Sequence, residues 1–330
     1  MAHQQKMNLR LFRWEDLSAV VEVVNRAADI DQADEHYDET SFREEIESNC
    51  APEQHCFVAT TDQGQIVGYA YVEWRSDEDW LWGYAWGAVH PDFRRQGVGR
   101  QLFRAADADF IARVAAEEVG DRAVFIQRFV QSTKPGEVAL ALSEGYSELR
   151  SSYRMSNSLD QPLSPATMPP GFSLRPFDVD RDAQAVYEVD QAAFMDGGGQ
   201  PVRTPYDEWC KHFIDADYFD PSLIIVALDD SSGAVAGVAI THSWGSDHPE
   251  WAWIAHLGVL SPYRGRRLGE ALLRQSFYAS QQRGFGIAVL GVRADNPSAL
   301  TLYTRAGMQL YCTFTHYRKM LRGDPAAVQS

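Results

Sequence analysis

Residues 94–99 read RRQGVG, inside the stretch GAVHPDFRRQGVGRQLF that runs from Gly87 to Phe103. An apolar, strand-like run ends near His90, and a helical pattern begins near Val98. A helix N-terminus carries unpaired amide donors and the positive end of the helix dipole. Gly97 and Gly99 let the backbone approach a ligand and take dihedrals closed to other residues. Successive amides facing one way form a nest for an anion such as a pyrophosphate. Arg94, Arg95 and Arg100 add positive charge, and Gln96 and Val98 complete the turn. No Lys-Ser/Thr pair follows, so this is not a Walker A motif, and it is not a dinucleotide GxGxxG.

The same pattern returns downstream. LGVLSPYRGRRLGEALL, from Leu257 to Leu273, places Arg264 and Gly269 each 170 residues after Arg94 and Gly99. Three further pairs occur in the same order. NLRLF ending at Phe12 matches SLRPF ending at Phe177. CFVATTDQGQIVGYAYVEW from Cys56 matches LIIVALDDSSGAVAGVAITHSW from Leu223. ALSEGYSEL from Ala141 matches LYTRAGMQL from Leu302. The chain therefore reads as a tandem repeat. Between the copies lies a Pro- and Ser-containing segment with little apolar periodicity, which reads as a linker. The expected domains are 1–156 and 172–330, joined by 157–171. Short Gly-containing turns between apolar runs predict antiparallel pairing. The run–turn–helix–run unit after each Gly-rich turn predicts a parallel crossover. The expected fold is α/β: two mixed, mostly antiparallel sheets, each with helices on both faces.

Composition narrows the partners. The net charge of −16 argues against nucleic acid or an anionic membrane, since both require a basic face, and is compatible with a cationic amine. No apolar run reaches the roughly 20 residues of a membrane span. The opening MAHQQKMNLR lacks an apolar core, so a cytoplasmic protein is expected. The four cysteines form no CxxC pair and predict neither a zinc site nor a disulfide framework; no metal is expected.

RRQGVG resembles the Arg/Gln-x-x-Gly-x-Gly/Ala motif of the GNAT acetyltransferase superfamily. ADNPSALTLYTRAGM, from Ala294 to Met308, is similar to that superfamily's second signature, an Asn followed by a helix ending in Tyr and Gly. AVHP and GVLSP look like its splayed fourth strand, and tandem members such as mycothiol synthase have this layout. The resemblance implies acetyl-coenzyme A as co-substrate and direct transfer of acetyl to an amine. It implies pantetheine contacts at Ala88, Val89, Leu257, Gly258 and Val259. Pyrophosphate contacts would fall on residues 94–100 and on Arg264, Gly265, Arg266, Arg267, Leu268, Gly269 and Glu270, although Arg267 stands where the first motif glycine is expected. Asn296 would also touch the coenzyme, and Tyr303 would protonate the leaving thiolate.

Counting back four residues from Gly307 gives Tyr303, while the same step from Gly145 gives Ala141. The C-terminal copy is therefore the expected catalytic copy. The first would be structural, regulatory or a wall of the substrate cleft. An ammonium acceptor must lose a proton before it attacks, which calls for a base. His256, ahead of LGV, is the first candidate, because an imidazole titrates near neutral pH. Glu250 is the reserve. Strand alternation puts Ile254, His256 and Gly258 on one face. The acceptor is expected to be a small-molecule amine bound near Met195–Phe219, under a mobile Gly-Gly-Gly loop. A protein N-terminus or lysine, a mycothiol synthase-like reaction and a non-catalytic acyl-coenzyme-A sensor are the alternatives.

Overall fold

The computed structural model describes residues 7–33, 36–196, 203–245 and 248–323. The chain divides into two units, Met1–Ser151 with Phe314–Ser330, and Ser152–Thr313.

In the first unit the order is β1 (Met7–Leu11), α1 (Leu17–Asp31), α2 (Glu39–Asn49), α3 (Pro52–His55), β2 (Cys56–Thr61), β3 (Ile66–Ser76), β4 (Trp80–Val89), α4 (Val98–Ala116), β5 (Ala123–Gln131), α5 (Pro135–Ser143) and the start of β6 (Ser147–Ser158). Helix α1 buries Val20, Val21, Val24, Ala27 and Ala28, an apolar stripe at helical spacing. Strand β3 is buried over Ile66–Glu73, as a central strand covered on both faces must be.

The second unit repeats this as β7 (Phe172–Pro176), α6 (Val179–Asp196), α7 (Tyr206–Phe213), β8 (Ile224–Asp229), β9 (Val235–Ser243), β10 (Trp251–Val259), α8 (Leu268–Gln282), β11 (Ile287–Arg293), α9 (Pro297–Ala306) and the start of β12 (Gln309–Arg322). Antiparallel pairing dominates, and the parallel pairs are β4–β5 and β10–β11. The mixed α/β fold is the expected one.

The unit borders differ from 156 and 172. From Ser152, β6 pairs antiparallel with β11 and closes the second sheet. From Phe314, β12 pairs with β5 and closes the first. Each half thus supplies the last strand of the other's sheet. The segment 157–171 lies along α8 rather than hanging as a tether. The Gln281 amide donates to the Gln161 carbonyl and accepts from the Leu163 amide, and Gln275 accepts from the Ala166 amide. Those side chains satisfy backbone groups that a proline-containing stretch cannot pair in a ladder.

Among the described residues no helix is long and apolar enough to cross a membrane.

Candidate active site

Both parallel pairs come apart. β10 and β11 pair from Trp251–Ile287 to Trp253–Val289 and then diverge, although the strands run on to Val259 and Arg293. β4 and β5 part after Tyr84–Gln127. The parted stretch bares backbone donors and acceptors, the kind of edge an extended ligand can pair with. In the first unit a cavity of about 890 Å³ runs along the split and under the Gly-rich turn, touching Trp86, Ala88, Arg95, Gly97, Lys134 and Leu140. That size is within the usual range for a small-ligand site.

The two turns have one backbone shape. Arg95 and Gly97 are left-handed in the first unit, with φ of 63° and 86°, and Gly265 and Arg267 in the second, with φ of 75° and 63°. Arg267, where a glycine was expected, keeps the turn at a conformational cost of about 1 kcal/mol. A Cβ on Gly265 or Gly97 would meet no close atom, so the cradle is open. Gly269 has a different task. A Cβ there would lie 2.9 Å from Leu302 Cδ1, so the missing side chain lets α9 pack against the start of α8.

The arginines divide in role. Arg264 Nε donates to the Val259 carbonyl at 2.9 Å and Nη2 to the Ala193 carbonyl at 3.2 Å, which braces the end of β10 against α6. Arg94 does likewise: Nε reaches the Val89 carbonyl, and its two terminal nitrogens hold Asp31 at 2.7 and 2.8 Å. Arg266 lies over the Phe172 ring and reaches the Pro170 carbonyl. Glu270 is paired with Arg274 and Arg305, and Arg100 with Glu144. Gln96 donates to the Asp92 carbonyl. Arg267, beside the first amides of α8, is exposed.

Tyr303 sits on α9 among Leu257, Leu302 and Met308. Burial pushes its phenol up to about 12. Asn296 caps that helix, its Oδ1 accepting from the Ala299 amide at 3.0 Å. The matching residue in the first unit, Ala141, is fully buried.

The β10 register shifts between Ile254 and His256, so Ala255 is an extra, bulged residue. The expected shared face of Ile254 and His256 is therefore corrected. Ile254 packs with Leu273 and Phe277 of α8. His256 faces α6, and so does Gly258, where a Cβ would meet Ala193 at 2.9 Å. His256 Nδ1 lies 2.8 and 2.9 Å from the two carboxylate oxygens of Asp190, a residue with 0% exposure. The rings of Phe194 and Phe213 lie 4.4 and 4.8 Å from the imidazole. Glu250 is half-exposed ahead of β10, with His248 at 3.6 Å. It is six residues from His256, roughly 15–20 Å along the strand and away from the split.

Asp207, Glu208 and Asp215 are exposed. The expected Gly-Gly-Gly loop lies outside the described residues. Asp190 was missed in the sequence, although an Asp on the apolar stripe Val186, Val189 and Ala193 was a readable signal.

Residues 183–308 match the Acetyltransferase (GNAT) family, and residues 52–133 match an Acetyltransferase (GNAT) domain. A mycothiol acetyltransferase of Pseudarthrobacter chlorophenolicus is 30% identical over 262 residues, 78% of this chain and 75% of that one. The chain belongs to the GNAT acetyltransferase family. It is a tandem GNAT protein and an N-acetyltransferase. A mycothiol acetyltransferase of Salinispora arenicola is 28% identical over 310 residues, covering 92% of this chain and 93% of its own. Two solved structures share the fold. A GCN5-related N-acetyltransferase from Sphaerobacter thermophilus has a TM-score of 0.75 at 24% identity, with 98% of each chain covered. A tandem GNAT protein from the clavulanic acid biosynthesis pathway has a TM-score of 0.62 at 19% identity, covering 97% of this chain and all of that one.

Proposed function

We propose that the second unit of this GNAT protein transfers acetyl from acetyl-coenzyme A to the amine of a small molecule in the cytoplasm. One contrast carries the reading. The second unit sets an imidazole and a phenol, His256 and Tyr303, on elements bordering the split, where the first unit has Trp86 and Ala141.

The residues present fit the co-substrate. The left-handed turn has room for a pyrophosphate at Gly265, and the bared edge of β10 suits an amide-bearing arm. When bound, acetyl-coenzyme A supplies a thioester carbonyl open to attack by an amine. His256 Nε2 takes the proton that the acceptor ammonium must lose. A backbone amide near Val259 donates to the carbonyl oxygen as charge develops. Tyr303 Oη gives its proton to the departing sulfur and is made good by the second proton that the nitrogen sheds as the amide forms. Arg267 and the first amides of α8 hold the phosphates.

A mycothiol acetyltransferase-like acceptor is the second reading, favoured by relatives of that name that align over most of the chain. The first unit, with its 890 Å³ cavity, is read as a structural or coenzyme-binding domain without chemistry of its own.

Thiol release from acetyl-coenzyme A across a panel of small amines tests the proposal. Turnover by the wild type, lost in Tyr303→Phe and His256→Gln and kept in Arg95→Glu, is expected. Loss only in Arg95→Glu would move the chemistry to the first unit.

A further inference from the structure

We propose that Asp190 is a positioning residue, whose carboxylate fixes His256 in the tautomer protonated at Nδ1 and so leaves Nε2 as the proton acceptor. The inference rests on the reading of His256 as the base.

An ionised carboxylate only accepts hydrogen bonds, so the ring nitrogen that meets both Asp190 oxygens has to donate. The other nitrogen is then unprotonated. Asp190 takes further bonds from Trp209 Nε1 at 3.0 Å and Gln191 Nε2 at 3.3 Å. Neither donor carries a charge. Burying a carboxylate without a fixed cation is costly, and a fold that only had to pack would not keep one there.

The repeat shows the fold does not require it. Arg10–Asp16 and Arg175–Asp182 are the same ion pair in the two units, which sets the register of α1 on α6 at 182 − 16 = 166. Asp190 then matches residue 190 − 166 = 24, which is Val24, a buried core residue. His256, at the 170 offset of the turn, matches Trp86. The first unit therefore fills the same position with an apolar pair. The carboxylate and the imidazole occur together in one unit and are both absent from the other, as expected of groups that work jointly.

The surroundings fix the ring further. Phe194 and Phe213 flank it, and Trp209, 1% exposed, locks the carboxylate from α7. The titratable groups facing His256 are Asp190 from α6 and His242 from β9. Burial lowers the pKa of His242, and the His256 charge lowers it further. His242 is stacked on Tyr218. Asp190 is the one carboxylate in that set.

Steady-state kinetics of the full chain from about pH 5 to about pH 9 test this, with Asp190→Asn, Asp190→Val and His256→Gln. Asp190→Asn retains the shape, but its amide can donate to Nδ1 and select the wrong tautomer. It is expected to lower kcat by about 100-fold or more with KM for acetyl-coenzyme A little changed. Asp190→Val, which copies the first unit but leaves Trp209 Nε1 without its acceptor, should also lose turnover. In the wild type, 15N-histidine NMR near neutral pH should show His256 protonated at Nδ1 and bare at Nε2. The reverse tautomer overturns the proposal even if no variant folds. If His256→Gln abolishes turnover while Asp190→Asn keeps the rate, Asp190 is merely structural and the base assignment stands. If His256→Gln turns over normally, the base assignment fails and the inference with it.

Discussion

The phenol of Tyr303 is held at about 12 by burial alone, so it keeps its proton through neutral and mildly alkaline pH. Tyr303→Phe should lower kcat about 100-fold with little change in KM for acetyl-coenzyme A. The same burial has a stability consequence with a definite sign. Below about pH 10 both folded and unfolded chains hold this proton, and the contribution is fully present. As pH climbs from about 10 to about 12, the unfolded chain loses a proton the folded one retains, and roughly 2–3 kcal/mol drains away. Urea midpoints of Tyr303→Phe should fall less steeply than those of wild type across that window; equal slopes would contradict the burial argument. The arginines of the second turn separate just as cleanly. Arg264→Met removes two bonds to backbone carbonyls and should lower both Tm and acetyl-coenzyme A affinity. Arg267→Gly suits the left-handed turn and should weaken affinity several-fold without lowering Tm. Calorimetry on the two variants distinguishes brace from phosphate ligand. Spacing alone made Arg264 and Arg267 look alike. The difference lies in which carbonyls happen to be near, and that is a tertiary fact.

Helix α9 approaches α8 more closely than α5 approaches α4. A Cβ at Gly269 would lie 2.9 Å from Leu302, whereas one at Gly99 would lie 3.4 Å from Leu140. Gly269→Ala should therefore turn the end of the Leu302 side chain aside at a cost of less than about 1 kcal/mol, while Gly99→Ala should be nearly neutral. Thermal melts with parallel turnover assays check the pair, and equal losses would count against the packing role. Much at this scale was legible in the sequence. The order of strands and helices, the two Gly-rich turns and the Tyr303–Ala141 contrast all follow from local pattern and a shared offset. The bulge at Ala255 was not legible, because no glycine or proline stands at Ile254, Ala255 or His256 to mark an extra residue. That one residue moved His256 from the α8 face to the α6 face and brought it to Asp190. A strand read by strict alternation cannot reveal a partner that a one-residue shift creates.

Across the whole molecule the exchange of β6 and β12 governs what can be separated. Cutting at the sequence repeat, into 1–156 and 172–330, leaves the first sheet without Phe314–Arg322 and the second without Ser152–Ser158. Each fragment should aggregate alone through its bared edge strand and regain a folded signal only when the two are produced together. Stable, monomeric fragments by light scattering would refute this. The exchange was invisible to repeat analysis, since like segments align whichever sheet they join. Acid sensitivity should also reach the exchanged strand. Burial holds His316, on the exchanged part of β12, down to about 4. Its stabilising effect is present above about pH 6.5 and lost as pH falls towards 4, because the unfolded chain takes up the proton first. His316→Phe should shift the acid midpoint of unfolding downward, read by tryptophan fluorescence. The exchange also sets a schedule for synthesis. A ribosome delivers the N-terminal sequence first, yet β5 must wait for Phe314–Arg322, which follows it by 314 − 131 = 183 residues. The first sheet thus stays open-edged until Phe314–Arg322 has emerged. The intervening half has time to fold first, and a nascent chain stalled short of Phe314 should depend on a chaperone to guard that edge.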